Sequence, residues 1–216
     1  MICFVGVDGS GKTTHAKSLA NFLVQKGFSC VYVWGGFRPI LSYPFFGLTK
    51  ILGYWKQTKK DAYTDPLEFA PSQFRQKLGR VWHAFIFIDF QVKVLAIRIL
   101  LALKKMIICD RYVYDILMEL QLSELDDQKF ENLLCSTVPK PNITFLMDVS
   151  EKVAATRRSM TIENLSAKKE ALKNMAKTYN FVVVNSANKF SQNQKQIQTT
   201  IMLCQKDSFS EGVQSN

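Results

Sequence analysis

Hydrophobic and polar positions follow two rhythms along this chain, and the switches between them mark out its elements. The opening run, MICFVGV, is unbroken apolar and ends in glycine, as a strand buried on both faces of a parallel sheet does. From Lys12 to Gln25, Ala16, Leu19, Ala20, Leu23 and Val24 recur at helical spacing until Gly27 stops the helix. SCVYVWGG, MIICD, PNITFLMD and FVVVN read as four further strands. Helical spacing fills the intervals: from Asp65 and Pro66 to about Leu103 in two pieces, then DILMELQ, LDDQKFENLLCS, SEKVAATRR with Ser150 as cap, and IENLSAKKEALKNMAKTY. A last helix is expected from about Lys189 to Lys206. The stretch FRPILSYPFFGLTKILGYWKQTKK holds two prolines and two glycines and reads as loop with short apolar helices.

Strands alternating with helices predict an α/β protein: three layers, with an open five-stranded parallel sheet covered on both faces. Residues 1–206 are expected to form a single domain and 207–216 a disordered tail. Ligands of such sheets bind beyond the carboxyl ends of the strands. The apolar stretch from Trp82 to Cys109 is interrupted by Asp89, Lys93, Arg98, Lys104 and Lys105, so it falls short of the about 20 apolar residues of a membrane span.

Composition adds two constraints. With 47% hydrophobic and 12% aromatic residues in 216, a packed core is affordable and global disorder is excluded. The 28 Lys and Arg against 18 Asp and Glu leave +10, which fits a solvated basic surface or an anionic partner: nucleotide, nucleic acid or acidic membrane. Five cysteines without CxxC or zinc spacing point to a reducing, cytoplasmic setting, and a strand at the first residues predicts no secretory leader.

The chemistry starts at GVDGSGKT, Gly6 to Thr13, which fills the GxxxxGK[ST] pattern between a strand and a helix. Such a loop lets Gly6, Val7, Asp8, Gly9, Ser10 and Gly11 turn backbone N–H groups inward as an anion nest, and the helix adds its positive end. Lys12 is placed for the β- and γ-phosphates of ATP, the Thr13 hydroxyl for Mg²⁺, and Thr14 follows in the helix's first turn.

A nucleotide switch would need D-x-x-G after the third strand and N-K-x-D later. Here Asp110 is followed by Arg111, Tyr112 and Val113, and Asn188-Lys189 continues as Phe190-Ser191. A motor would be longer and carry a partner region. A small-molecule kinase instead needs a second anion site, cations for the group in transit, and a lid. Arg38, Arg111 and the Arg157-Arg158 pair fall after successive strands, where those tasks arise.

VGVDGSGKTTHAKSLANFL, ICDRYVYD and PNITFLMDVSEKVAATRR resemble three ordered signatures of the thymidylate kinase family of P-loop nucleoside monophosphate kinases. The likeness covers roughly Met1 to Val184 and is weakest between Pro39 and Lys105. It implies that Asp8 lies near the acceptor sugar and metal, that Arg38 and Arg111 grip the acceptor phosphate, and that Asp110 lies on the metal side with Thr13. It further implies that Arg157 and Arg158 open a short lid, about residues 157–165, with one of them supporting the donor or the moving phosphoryl. Ser186 and Ala187 would pass beneath adenine.

The family also carries an aromatic and then an arginine before the third strand, to stack on and read thymine. The corresponding WHAFIFIDFQ keeps Asp89 but has Phe90 or Gln91 at the arginine's place, leaving Phe85 or Phe87 to stack on a base. The expected activity is ATP- and Mg²⁺-dependent phosphorylation of a nucleoside monophosphate, dTMP first. The alternatives are another phosphorylated acceptor, an ATP-binding protein without transfer, or a nucleic-acid-stimulated ATPase. The expected partner is the monophosphate, with no nucleic acid, no membrane span and room for a homodimer. Blander roles stand beside these: Arg38 in a solvated loop, Asp110 and Arg111 as strand-end residues, Lys168 and Lys169 as solvated helix face, His15 and His83 as structural, Asp148 as a helix cap.

Overall fold

Neighbouring residues of a strand face opposite ways, and the apolar runs of this chain are long enough to bury both faces. A computed structural model describes residues 1–37, 42–51, 72–123, 125–157 and 162–211. The strands are β1 (Ile2–Val5), β2 (Cys30–Trp34), β3 (Met106–Asp110), β4 (Ile143–Asp148) and β5 (Val182–Asn185). The helices are α1 (Lys12–Gln25), α2 (Ser42–Ile51), α3 (Ser72–Ala102), α4 (Val113–Leu122), α5 (Gln128–Thr137), α6 (Glu151–Arg157), α7 (Ile162–Thr178) and α8 (Phe190–Glu211).

The sheet runs β2-β3-β1-β4-β5, all parallel, so the first strand is the central one. Register sets Phe4 beside both Asp110 and Phe145, and Asp110 beside Trp34. Three strand ends therefore open on one crevice, where the connections from β1 diverge to either side. Ile2, Phe4, Ile108, Phe145, Met147 and Val184 face α1 and α8 through Ala16, Leu19, Leu23, Ile197 and Ile201. Cys3, Val5, Ile107, Cys109 and Leu146 face the other way, onto Ile86, Phe90, Val94, Ile116, Leu120 and Leu172 of α3, α4 and α7. These are the three layers that the pattern predicts.

Two expectations change, and a third is met in part. The helix before β3 is one unbroken 31-residue element from Ser72, while the expected start at Asp65, with any break before Ser72, lies outside the described residues. No proline follows Pro71 in it, and Trp82, Ile86, Phe90, Val94 and Ile97 keep one buried face from residue 82 to 97. The last helix runs on to Glu211. Lys168 and Lys169 are not a solvated face: Lys168 is 4% exposed and pairs with Glu119 of α4 at 2.8 Å. Lys169 reaches the Val149 carbonyl at 2.8 Å, Asp148 at 3.1 Å and Glu151 at 3.4 Å. A buried lysine needs such partners, and α7 meets them by lying against α4 and the exit of β4.

His15 hydrogen-bonds Gln194 at 2.8 Å and stacks on Phe190, and His83 bonds the Leu125 carbonyl at 2.8 Å, so both tie elements together. Among the described residues no helix is long and apolar enough to cross a membrane.

Two neighbouring leucines of α5 test the layer assignment. Leu134 is 0% exposed and Leu133 49% exposed. Leu134→Ala should cost about 2–5 kcal/mol in denaturant unfolding, whereas Leu133→Ala should stay within about 0.5 kcal/mol.

Candidate active site

The phosphate loop leaves β1 at Gly6 and re-enters helix at Lys12. Gly9 (φ 81°) adopts a conformation that L side chains avoid, and a Cβ there would meet the Ala154 carbonyl at 2.9 Å. That close approach lets α6 lie against the loop. Gly11, also left-handed, caps α1 without any side-chain hydrogen bond, and no acidic residue occupies the first turn. The N–H groups of that turn thus have no side-chain partner of their own, which suits an anionic ligand.

Lys12 is 4% exposed, and its ammonium donates to the Val7 carbonyl at 3.1 Å and to Asp8 at 3.4 Å. Burial, with Arg111 nearby, pulls its pKa down, and Asp8 opposes this. Val7 is buried beneath the loop, whereas Thr13 and Thr14 are exposed at its mouth. Ser10 Oγ is buried with no partner among the described residues.

Asp110 ends β3 at 0% exposure. Its Oδ2 accepts from the Thr13 hydroxyl at 2.6 Å and from the Tyr32 hydroxyl at 2.9 Å. Its Oδ1 is buried and has no partner among the described residues. A carboxylate oxygen left over beside a threonine hydroxyl is a hard-oxygen donor set, and it fits Mg²⁺. Burial and the bond to Asp110 push the Tyr32 hydroxyl's pKa up, so it stays a donor.

Arg111 follows with φ 68°, a left-handed conformation for a non-glycine residue. Its N–H donates to the Phe4 carbonyl at 2.9 Å. A Cβ on Gly35 would overlap the Arg111 carbonyl and the Cys109 sulfur, so glycine at the end of β2 makes room for this turn. The guanidinium gives Nη1 to Asp115 at 2.9 Å and Nη2 to Asp8. Burial works against its charge, but the two carboxylates more than restore it, raising its pKa. Asp8 responds in kind: burial would raise its pKa, yet Lys12 and Arg111 hold it at about 2.

The structure therefore brings Asp8, Lys12, Thr13, Asp110 and Arg111 to one place. Arg157, from α6, donates to the Gly9 carbonyl at 3.0 Å on the loop's other side. Arg38 and Arg158 lie outside the described residues. Lys93 of α3 reaches the Gly36 carbonyl and lies 4.5 Å from the Trp34 ring, holding the exit of β2 that leads toward Arg38.

The aromatic stretch of α3 divides. Phe90 is 1% exposed and packs on the Tyr112 ring at 5.9 Å, and Gln91 donates to Thr137 at 2.8 Å. Both are engaged with the protein itself. Phe85 stacks on Phe45 at 4.8 Å, whereas Phe87 is half-buried against the core. Asp148 faces Lys169 and Lys173 (3.7 Å) rather than the loop's lysine.

Two participants escaped sequence reasoning. Tyr32 sits mid-strand, and its one signal is a polar tip within an apolar run. Asp115 carries a clearer one, lying four residues after Arg111 at the start of a helix.

A lysine inside the phosphate loop and an arginine delivered to the loop's carboxylate from the neighbouring strand make provision for two anions, as in a P-loop kinase, and not for one nucleotide alone. Residues 80–200 match the family model for thymidylate kinase. The probable thymidylate kinase of Sulfurisphaera tokodaii is 26% identical over 199 residues, 88% of this chain and 90% of that one. The thymidylate kinase of Dehalococcoides mccartyi is 30% identical over 162 residues, 73% and 68% of the two chains. The probable thymidylate kinase of Methanocaldococcus jannaschii is 27% identical over 195 residues, 87% of each. The chain belongs to the thymidylate kinase family, and its class is that of the nucleoside monophosphate kinases.

The depressed pKa of Asp8 has a measurable signature. A carboxylate lowered from an ordinary value near 4 contributes stability that is present above that pH and lost as pH falls toward about 2. Between pH 5 and 2 the wild-type melting temperature should fall more steeply than that of Asp8→Asn, with parallel curves above pH 5.

Proposed function

We propose that this chain transfers the γ-phosphoryl group of ATP to a nucleoside monophosphate, converting dTMP to dTDP. The observation that carries the reading is Arg111, held against the phosphate loop from β3 beside Lys12. One cation belongs to the loop and the other faces it, so two phosphate groups can meet head to tail.

In the reaction an oxygen of the acceptor's phosphate bonds to the γ-phosphorus while the bond to the β,γ-bridging oxygen breaks, and ADP leaves with that electron pair. The attacking phosphate is already anionic, so no general base is needed; positioning and charge neutralisation do the work. The N–H groups from Gly6 to Gly11 and the first turn at Thr13 and Thr14 hold the donor phosphates. Lys12 moves from the Val7 carbonyl to the β- and γ-phosphates.

Thr13 and Asp110 are the residues that would hold Mg²⁺, which when bound neutralises charge on the ATP phosphates. Arg111 and Arg38 take the acceptor phosphate, and Phe87 offers a ring to its base. Arg157 and Arg158 open the lid over residues 157–165, one of them supporting the donor or the moving phosphoryl. The five free cysteines fit a cytoplasmic enzyme.

A homodimer is the assembly that α3 favours. Val81, Ile88, Val92, Leu95 and Ile99 are 42–59% exposed and repeat at seven, four, three and four residues, on the side opposite the buried Ile86, Phe90, Val94 and Ile97. A stripe of that length on a 31-residue helix suits a second copy of itself.

Incubation with Mg-ATP and a panel of nucleoside monophosphates should yield dTDP from dTMP. ADP release indifferent to any monophosphate would overturn the reading. Lys12→Ala should lower kcat by at least about 100-fold, and Arg111→Ala should raise the acceptor KM about 10- to 100-fold, as the loss of a charge-assisted hydrogen bond does. Light scattering should give twice the chain mass, and Leu95→Glu should halve it.

A further inference from the structure

Asp115 is a buried acid one helical turn from a site built for anions. Its side chain is 6% exposed, and the Asp8, Lys12 and Arg111 charges all act on it. A buried carboxylate there would repel a phosphate unless its charge were spent. Both of its oxygens are committed. Oδ2, on the third residue of α4, reaches back to accept the N–H of Tyr112, the residue that caps the helix, at 3.3 Å, and Oδ1 accepts Arg111 Nη1 at 2.9 Å. Rotation of the carboxylate to follow a moving arginine would break the cap.

Arg111 needs such a fixture. Its backbone is left-handed, and the next residue, Tyr112, is extended, so its side chain leaves a sharp turn rather than a regular helix. The guanidinium has five N–H donors, and a free arginine at a strand end samples many directions. Here one nitrogen is tied to the rigid start of α4, and that leaves the other directed at Asp8 over the phosphate loop. The two carboxylates are unequal. Asp115 is enclosed and shares its bonds with a helix cap, whereas Asp8 is 29% exposed, sits on the loop and divides itself between Lys12 and Arg111.

We propose that Asp115 is a positioning residue for phosphoryl transfer: its carboxylate fixes Nη1 of Arg111 so that Nη2 is presented to the acceptor's phosphate. The proposal rests on the acceptor role of Arg111 given above. Asp115 touches neither nucleotide; it acts through Arg111.

Asp115→Asn retains an oxygen for the Tyr112 N–H and turns an amide toward Arg111. It should raise the dTMP KM about 10- to 100-fold, the scale of a lost charge-assisted hydrogen bond, and leave the ATP KM within about twofold. In an Arg111→Ala background the same substitution should change the dTMP KM by less than about twofold, because what it positions is gone. Equal losses for ATP and dTMP, an unchanged dTMP KM, or a full additional loss on top of Arg111→Ala would each sink the proposal. If the Asn variant does not fold, Asp115→Ser, whose hydroxyl still accepts the Tyr112 N–H, carries the same expectations. Failure of the wild type to phosphorylate dTMP would count against the kinase reading, and calorimetric titration with inorganic phosphate then decides this one. At least tenfold weaker phosphate binding by the Asn or Ser variant supports it, and equal binding overturns it.

Discussion

Lys12, Arg111, Asp8, Asp110 and Asp115 bring two positive and three negative side chains to one end of a sheet, at depths where an unpaired charge costs several kcal/mol. Each meets a partner inside the protein, although one oxygen of Asp110 stays unpaired among the described residues. Lys12 meets Asp8, Arg111 meets Asp8 and Asp115, and Asp110 takes two hydroxyl donors. The site is thus assembled before any ligand arrives, and most of its parts hold their positions by holding one another. Asp8 is shared and partly exposed, the contact most readily exchanged for a phosphate.

The layers exist to keep those groups in register. Parallel pairing sets Asp110 level with Phe4, one residue before the strand ends, so Arg111 can bond the Phe4 carbonyl and reach the loop that follows Val5. On one side α1 carries Lys12 and Thr13 and is fixed by Leu19 and Leu23 against β1 and its neighbours. On the other, Phe90 of α3 packs on Tyr112 and Lys168 of α7 pairs with Glu119, so α4 and its Asp115 are held from both directions. Apolar packing supplies the rigidity, and the polar contacts supply the aim.

That division also bears on what the acceptor pocket can read. Where the family reads a base with an arginine, this chain has Phe90 in the core and Gln91 on Thr137. Both side chains are engaged within the protein rather than turned to a base edge.

The strands, the phosphate loop and its lysine, the DRY arginine and the all-parallel sheet were legible in the sequence, because each is a local pattern: unbroken apolar runs, glycines at fixed spacing, helical periodicity between them. The extent of α3 was not, since only the continuous buried face from Trp82 to Ile97 makes one helix of it. Lys168 and Lys169 looked solvated because charge is written in the sequence, whereas the partners that permit its burial come from α4, Glu151 and the end of β4. Tyr32 and Asp115 stayed out of view for the same reason. Sequence by itself determined which phosphate chemistry this protein can hold; tertiary structure decided which way its arginine points, because a side chain's direction is set by partners that only folding brings near.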